Sequence, residues 1–385
     1  MRILSMAWTI YDSRLPMFSN NYTGGGLMIK NICEYIGRLH ESYLFIGRYK
    51  VPEMIIGNIH IVGTEIYPDI QDDLCNPDDK HIKTMEKAFE AVVDKIKPDI
   101  VNFHGIGGLM QRCVEVCINK KIPYVYTDHL FVGGAEIQGY DKNRKWEKEV
   151  YNIPDLKVIA VSSGMKTKIL QNYPNFLSKN ITVIKNGTDF IAEWQDSDLI
   201  KKYDLKNKKV LLCVGTINYR KNQCQVIRSF QMLPLSIQNK VKVVFCGKDS
   251  MNGILQECIT ASGLQDKLIY AGAVSSEDMK KHYSIADGLI MPSYAEGLSI
   301  AALEAIAYGL PVIMFSDSEC AEDLCDKEVV CFAKERTDSC LSAEMINWYE
   351  KKWDKEYIIK YSRYFTMERV AEDYINYYTE ILEKG

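Results

Sequence analysis

Short apolar runs alternate with longer amphipathic ones along nearly all of this chain, and the alternation restarts once. In the first half the strand candidates are RILSMAW, SYLFIG, IHIVGT, DIVNFHG, YVYTDH, KVIAVSS and ITVIKNG. Between several of them lie stretches such as HIKTMEKAFEAVVDKIKP and GMKTKILQNY, which read as surface helices. After Gly187 comes a polar connection, TDFIAEWQDSDLIKKYDLKNKK, with room for one helix. Strand-like runs then resume: VLLCVGT, VKVVFCG, KLIYAGAV, GLIMPS, PVIMF and EVVCFA, followed by a helical tail, TMERVAEDYINYYTEILEKG. This pattern predicts an α/β fold with two largely parallel, doubly wound sheets. The expected domains are residues 1–187, completed by a helix over 366–385, and residues 188–365. Nothing repeats with a short period, which excludes a solenoid.

Composition narrows the class further. The chain has 385 residues, 47% hydrophobic and 25% charged, enough to bury sizeable cores without staples. A formal net charge of −4 argues against nucleic acid as a partner. None of the 12 cysteines forms a C-x-x-C pair, the closest being Cys113/Cys117 and Cys320/Cys325. Most sit in apolar runs, as reduced core thiols of a cytoplasmic protein would. No secretory leader and no membrane-length apolar stretch is visible. The expectation is a protein that is cytoplasmic, with peripheral membrane contact left open; the KNRKWEK run (142–148) mixes basic, aromatic and acidic residues.

Ligands of open parallel sheets bind beyond the carboxyl ends of the strands, so polar residues there are the candidates. Gly24, Gly25 and Gly26 in NYTGGGLMIKNI precede a helix-like run; they read either as a phosphate cradle or as a flexible turn. His104 ends FHG, and Asp128 and His129 end YTDH, at neighbouring strand ends of one domain. Arg220 and Lys221 in VGTINYRKNQ stand just before a helix, where cations oppose the helix dipole unless an anion lies between them. Glu296 and Glu304 are eight residues apart in SYAEGLSIAALEAIAYGLPVIMF, an otherwise apolar or small stretch. A bare carboxylate there is costly, so a polar cavity or partner is implied. A helix capped near Ser299 puts Glu296 in a loop and Glu304 inside the helix, with the N–H groups of Gly297, Leu298 and Ser299 free to hold an anion. The D-S-D run at Asp196–Asp198 and the KNKK turn (206–209) read as a chance match or cap and a solvated turn. WYEKKW and NYYTEIL read as packing helices.

In this order the pieces resemble family 4 glycosyltransferases of the GT-B architecture. The marker is E-x₇-E, here Glu296 to Glu304, supported by TGGG, FHG, YTDH, AVSS, VIKNGTD, VGTINYRKN and YAGAVSSEDMKKHYSIADGLIMPS. The resemblance covers almost the whole chain. It implies two Rossmann-like domains facing a cleft, with the last helix crossing back to the first domain. It also implies retaining, metal-independent transfer of a hexose or N-acetylhexosamine from a nucleotide diphosphate sugar, UDP-sugar favoured and GDP-sugar next, with no cofactor. The implied acceptor is a glycan or lipid-linked glycan of cell-surface polysaccharide biosynthesis. By the same resemblance, Arg220 and Lys221 grip the diphosphate, Glu304 the ribose and Glu296 the donor sugar. Gly215 and the amides of Gly297, Leu298 and Ser299 lie beside the donor, and Gly24–Gly26 approach phosphate or acceptor. His129 reaches the sugar, and His104 and Asp128 lie on the acceptor side. Thr216 stands where many members carry arginine, and GLS replaces the commoner GFG, which reshapes the sugar pocket. Two other readings fit the same residues: a sugar-nucleotide epimerase or hydrolase, and a non-catalytic glycan-binding partner subunit.

Overall fold

The computed structural model describes residues 1–12, 24–47, 51–63, 79–105, 108–133, 137–193 and 198–384. Its contacts divide the chain into Met1–Gly187 with Met367–Gly385, and Thr188–Thr366.

The first unit is built on eight strands: β1 (Arg2–Ala7), β2 (Glu41–Ile46), β3 (Met54–Ile56), β4 (Ile59–Val62), β5 (Ile100–His104), β6 (Tyr124–Asp128), β7 (Val158–Ala160) and β8 (Ile181–Val183). Their order is β3-β4-β2-β1-β5-β6-β7-β8. All pairs are parallel except β3 with β4. That hairpin was not expected. It closes through Gly57 at φ +56°, and the Glu34 carboxylate accepts from the Asn58 amide and side chain. Successive residues feed opposite faces of the sheet: Leu4 and Met6 enter one apolar cluster and Ala7 the other.

The tail is the helix Met367–Lys384, which packs on the helix Gly24–Ile36 of the first unit. Tyr374, Tyr377 and Tyr378 are buried, and the Tyr378 hydroxyl accepts from Asn102 of β5 at 2.6 Å. The NYYTEIL aromatics therefore pack.

The second unit holds β9 (Lys209–Val214), β10 (Val241–Cys246), β11 (Leu268–Gly272), β12 (Gly288–Met291), β13 (Val312–Phe315) and β14 (Val330–Ala333). All are parallel, in the order β11-β10-β9-β12-β13-β14, the 3-2-1-4-5-6 winding of a Rossmann sheet. Val210 and Leu212 of β9 face one core, Leu211 and Cys213 the other. Leu199, Tyr203 and Leu205 bury the polar connection's single short helix (Leu199–Lys202) against the first of these cores. Asp198 stands at that helix's N-cap without a side-chain cap bond, while Asp196 and Ser197 lie outside the described residues.

Among the described residues, Cys33, Cys113, Cys117, Cys213, Cys246, Cys320 and Cys331 are buried thiols outside any disulfide, and burial pushes the Cys213 thiol up to about 12. No helix among them is long and apolar enough to cross a membrane.

Candidate active site

In the second unit the winding reverses between β9 and β12, and the loops leaving those two strands carry the strongest candidates. After β9, Gly215 at φ +136° turns the chain. A Cβ there would lie 3.1 Å from Lys221 Cε, so Gly215 makes room for the lysine. Gln223 Nε2 donates to the carbonyls of Gly215 and Thr216, and Asn218 Oδ1 accepts from the Lys221 amide at 2.9 Å. These bonds within the loop position Arg220 and Lys221.

After β12, Tyr294 N donates to the Arg220 carbonyl at 2.8 Å, and Arg220 Nη1 donates to the Ala295 carbonyl at 2.6 Å. The two loops are stitched together, and Glu296 falls between the cations. Its Oε1 lies 2.6 Å from Lys221 Nζ and 3.4 Å from Arg220 Nη1. Glu296 is only 6% exposed. Burial pushes its carboxyl up, but Lys221 and then Arg220 outweigh that and hold it down at about 2. It is an ionised carboxylate held by two largely buried cations.

Glu304 has the opposite fate. It lies in the helix Ile300–Ala307, with Ser299 at the N-cap position. Oε2 accepts from Tyr283 at 2.8 Å, whereas Oε1 is covered and has no hydrogen-bond partner. Burial is the main cause that pushes this carboxyl up to about 8, with Tyr283 opposing and the charge on Asp189 adding. Eight residues from an ionised glutamate sits one held neutral at pH 7, with an acceptor oxygen facing no partner.

Gly297, Leu298 and Ser299 are buried beside Glu296, with Leu298 in the core. One expectation needs correction. The three glycines do not precede a helix but begin one, Gly24–Ile36, with Gly24 and Gly25 exposed and Gly26 buried.

In the first unit, β1 and β5 flank the winding reversal. His104, at the end of β5, is buried; its Nε2 faces Ser5 Oγ of β1 at 3.3 Å and its Nδ1 faces His129 Nε2 at 3.0 Å. Burial brings His129 down to about 4, so both rings are neutral at physiological pH, His104 lying further below its usual range. The structure thus brings His104 and His129 together. Asp128 turns inward instead: Oδ2 accepts from Tyr151 at 2.6 Å and Oδ1 from the Leu130 amide at 3.1 Å.

Four residues that sequence reasoning passed over complete these sites. Tyr283 partners Glu304, and Glu319 accepts from the Glu296 amide at 2.8 Å. Arg336 donates to the Ser293 carbonyl at 2.7 Å and stacks over Phe315. Glu147 accepts from the amides of Val132 and Gly133, fixing the loop after His129. Tyr283 lies inside the YAGAVSSEDMKKHYSIADGLIMPS stretch and Glu147 inside KNRKWEK, but nothing in those runs singles either residue out, and Glu319 and Arg336 lie in no motif.

The fold and these strand-end sites define the GT-B glycosyltransferase architecture. HepE of Anabaena, solved in complex with UDP and glucose, has a similar fold, with a TM-score of 0.72 at 14% identity over 98% of this chain and 99% of that one. The profile described as Glycosyltransferase Family 4 matches residues 22–190, and the profile Glycosyl transferases group 1 matches residues 195–365. The chain belongs to the family 4 glycosyltransferases. Among curated relatives, it is 29% identical to an uncharacterized glycosyltransferase of Methanocaldococcus jannaschii, over 42% of each chain. It is 31% identical to the O-antigen chain mannosyltransferase RfbU of Salmonella typhimurium, over 41% of each. The matching stretch spans less than half the length of either relative.

Proposed function

We propose that this chain is a retaining glycosyltransferase that moves a hexose or N-acetylhexosamine from a nucleotide diphosphate sugar to a glycan or lipid-linked acceptor. A UDP-sugar is favoured and a GDP-sugar comes next. The observation that carries the reading is the cluster of Lys221 and Arg220 on Glu296 at the winding reversal of the second sheet. A diphosphate offers those cations more charge than one carboxylate does, and oxygens that match the guanidinium fork.

In this reading Arg220 and Lys221 turn to the diphosphate and stabilise the charge that develops as it leaves. Glu296 is then released to accept from hydroxyls of the sugar. Glu304 accepts from the ribose hydroxyls through the oxygen that has no partner in the protein. The bond from the anomeric carbon to the phosphate oxygen breaks through an oxocarbenium-like transition state. The acceptor hydroxyl attacks on the face the diphosphate leaves, and its proton passes to the departing phosphate oxygen, so configuration is retained. Arg220 and Lys221 carry the leaving charge, and neither metal nor cofactor enters these steps. His104 and His129 belong to the polar edge of the first unit, where the acceptor binds.

The name of RfbU, an O-antigen chain mannosyltransferase, supports a glycan chain as acceptor and adds mannose to the candidate sugars. In this reading the protein works in the cytoplasm, and a lipid-linked acceptor would bring it to the inner face of the membrane. A panel of UDP-, GDP-, ADP- and dTDP-sugars is scored first by thermal shift, then by nucleotide released with and without acceptor glycan. One donor is expected to raise the Tm, and Glu304→Ala to abolish that rise. If no donor raises it at millimolar concentration, the reading fails.

A further inference from the structure

We propose that His104 is a positioning residue: it holds His129 as the Nε2–H tautomer, so that Nδ1 of His129 meets the substrate as a hydrogen-bond acceptor and its partner is a sugar hydroxyl. The choice of a sugar rests on the glycosyl-transfer reading; the tautomer does not.

The geometry leaves two arrangements. His129 Nε2 and His104 Nδ1 are 3.0 Å apart, with the rings nearly parallel at 23°, so one proton lies between them. If His104 supplied it, a neutral His129 would carry its own proton on Nδ1. That nitrogen is covered and has no partner among the described residues. A covered N–H without an acceptor forfeits a whole donor bond, and buried polar groups are rarely left so. With the proton on Nε2 instead, His129 donates to His104 Nδ1. His104 then carries its proton on Nε2 and donates to Ser5 Oγ at 3.3 Å. Ser5 in turn bonds Cys33, a fully buried thiol, so the chain of bonds ends inside the protein.

The surroundings hold this arrangement. Burial keeps both rings uncharged near neutral pH. Asp128, the residue before His129, turns its carboxylate to Tyr151 and the Leu130 amide instead of to the His129 ring. Glu147 accepts from Val132 N at 2.7 Å and Gly133 N at 2.8 Å, which fixes the backbone just after His129. His129 is thus offered as an acceptor of fixed direction, not as an acid. A sugar hydroxyl is a donor that fits it and that carries no charge into a buried place.

Long-range proton–nitrogen correlation NMR on the full chain with labelled histidine, free of ligand, reads the tautomer directly. In the wild type, His129 is expected as Nε2–H. His104→Leu removes the acceptor and is expected to give a mixture of tautomers. His104→Asn puts an amide oxygen near the place of Nδ1 and is expected to restore Nε2–H. With the donor found by the panel, His104→Leu should lower kcat about tenfold with donor KM nearly unchanged, and His104→Asn should recover most of it. An Nδ1–H signal for His129 in the wild type overturns the proposal, and that spectrum does not depend on any variant folding. An unchanged tautomer in His104→Leu overturns it equally. Absence of turnover with every donor would count against glycosyl transfer alone and leave the NMR result standing.

Discussion

Glu304→Gln separates what this carboxyl costs the fold from what it offers a ligand. Its pKa rises from an ordinary 4.5 to about 8, chiefly through burial. Between those values the folded protein holds a proton that the unfolded chain has released, so stability falls as pH rises through this window. Below about pH 4.5 both states are protonated and the penalty vanishes; above about pH 8 both are ionised and it is complete. At ~1.4 kcal/mol per pH decade, the window sets a ceiling of about 5 kcal/mol. Glutamine never ionises. Its oxygen keeps the bond from Tyr283, but its amide stands where Oε1 has no partner, a cost of roughly 1–3 kcal/mol. The variant is therefore expected to melt below wild type at pH 5 and above it at pH 8.5. For a unit of this size each kcal/mol moves Tm by roughly 2–4 °C, so the crossing is within reach of thermal melts of both proteins across pH. Because two units can melt separately, the transition to follow is the one that nucleotide shifts. Parallel Tm profiles would refute the buried, raised carboxyl. The functional half is separate: with its oxygen held by Tyr283, the glutamine turns an NH2 donor, which cannot accept, toward the ribose hydroxyls, so the ligand-induced Tm rise should shrink sharply. A rise equal to wild type would refute Glu304 as a ligand contact.

Lys221→Met takes the cation at 2.6 Å from Glu296 and leaves Arg220 at 3.4 Å. It is expected to cost about 3 kcal/mol, the loss usual for one partner of a buried pair, and to abolish nucleotide binding; urea unfolding and ligand-induced melting check the two. Gly247→Ala would bring a Cβ within 2.0 Å of the Gly215 carbonyl oxygen, forcing the loops after β9 and β10 apart. A lower Tm and weaker donor binding by isothermal titration are expected, and wild-type binding would show that the Lys221 loop does not need Gly215 held in place.

The alternation of apolar runs made both sheets legible, since a parallel strand buried on both faces is a continuous apolar run whatever lies around it. The β3–β4 hairpin escaped because three residues are too few to carry a period; its signal was the Gly57–Asn58 turn. The cost of Glu296 and Glu304 was also legible, because an acid in an apolar stretch is anomalous from sequence alone. Their partners were not. Tyr283 and Glu319 stand 21 and 23 residues away and reach the acids only through parallel crossovers, while their own segments read as ordinary helix and turn. For the same reason the sequence could not tell the two glutamates apart. Spacing makes them a pair, yet one settles near 2 and the other near 8. The difference comes from what the winding reversal brings to each. The loop after β9 delivers two cations to Glu296, whereas Glu304 meets a tyrosine hydroxyl from the helix Ser276–Ser284 and apolar neighbours. In the absence of ligand, therefore, one carboxylate stays ionised and keeps the cations ordered. The other stays protonated, and hydroxyl donors at its free oxygen would favour its ionised form. Donor binding is then expected to release a proton from Glu304 below pH 8, coupling nucleotide affinity to pH where a site built on groups ionised throughout would show no dependence: affinity should rise between pH 6 and 8 as less of that cost remains to be met.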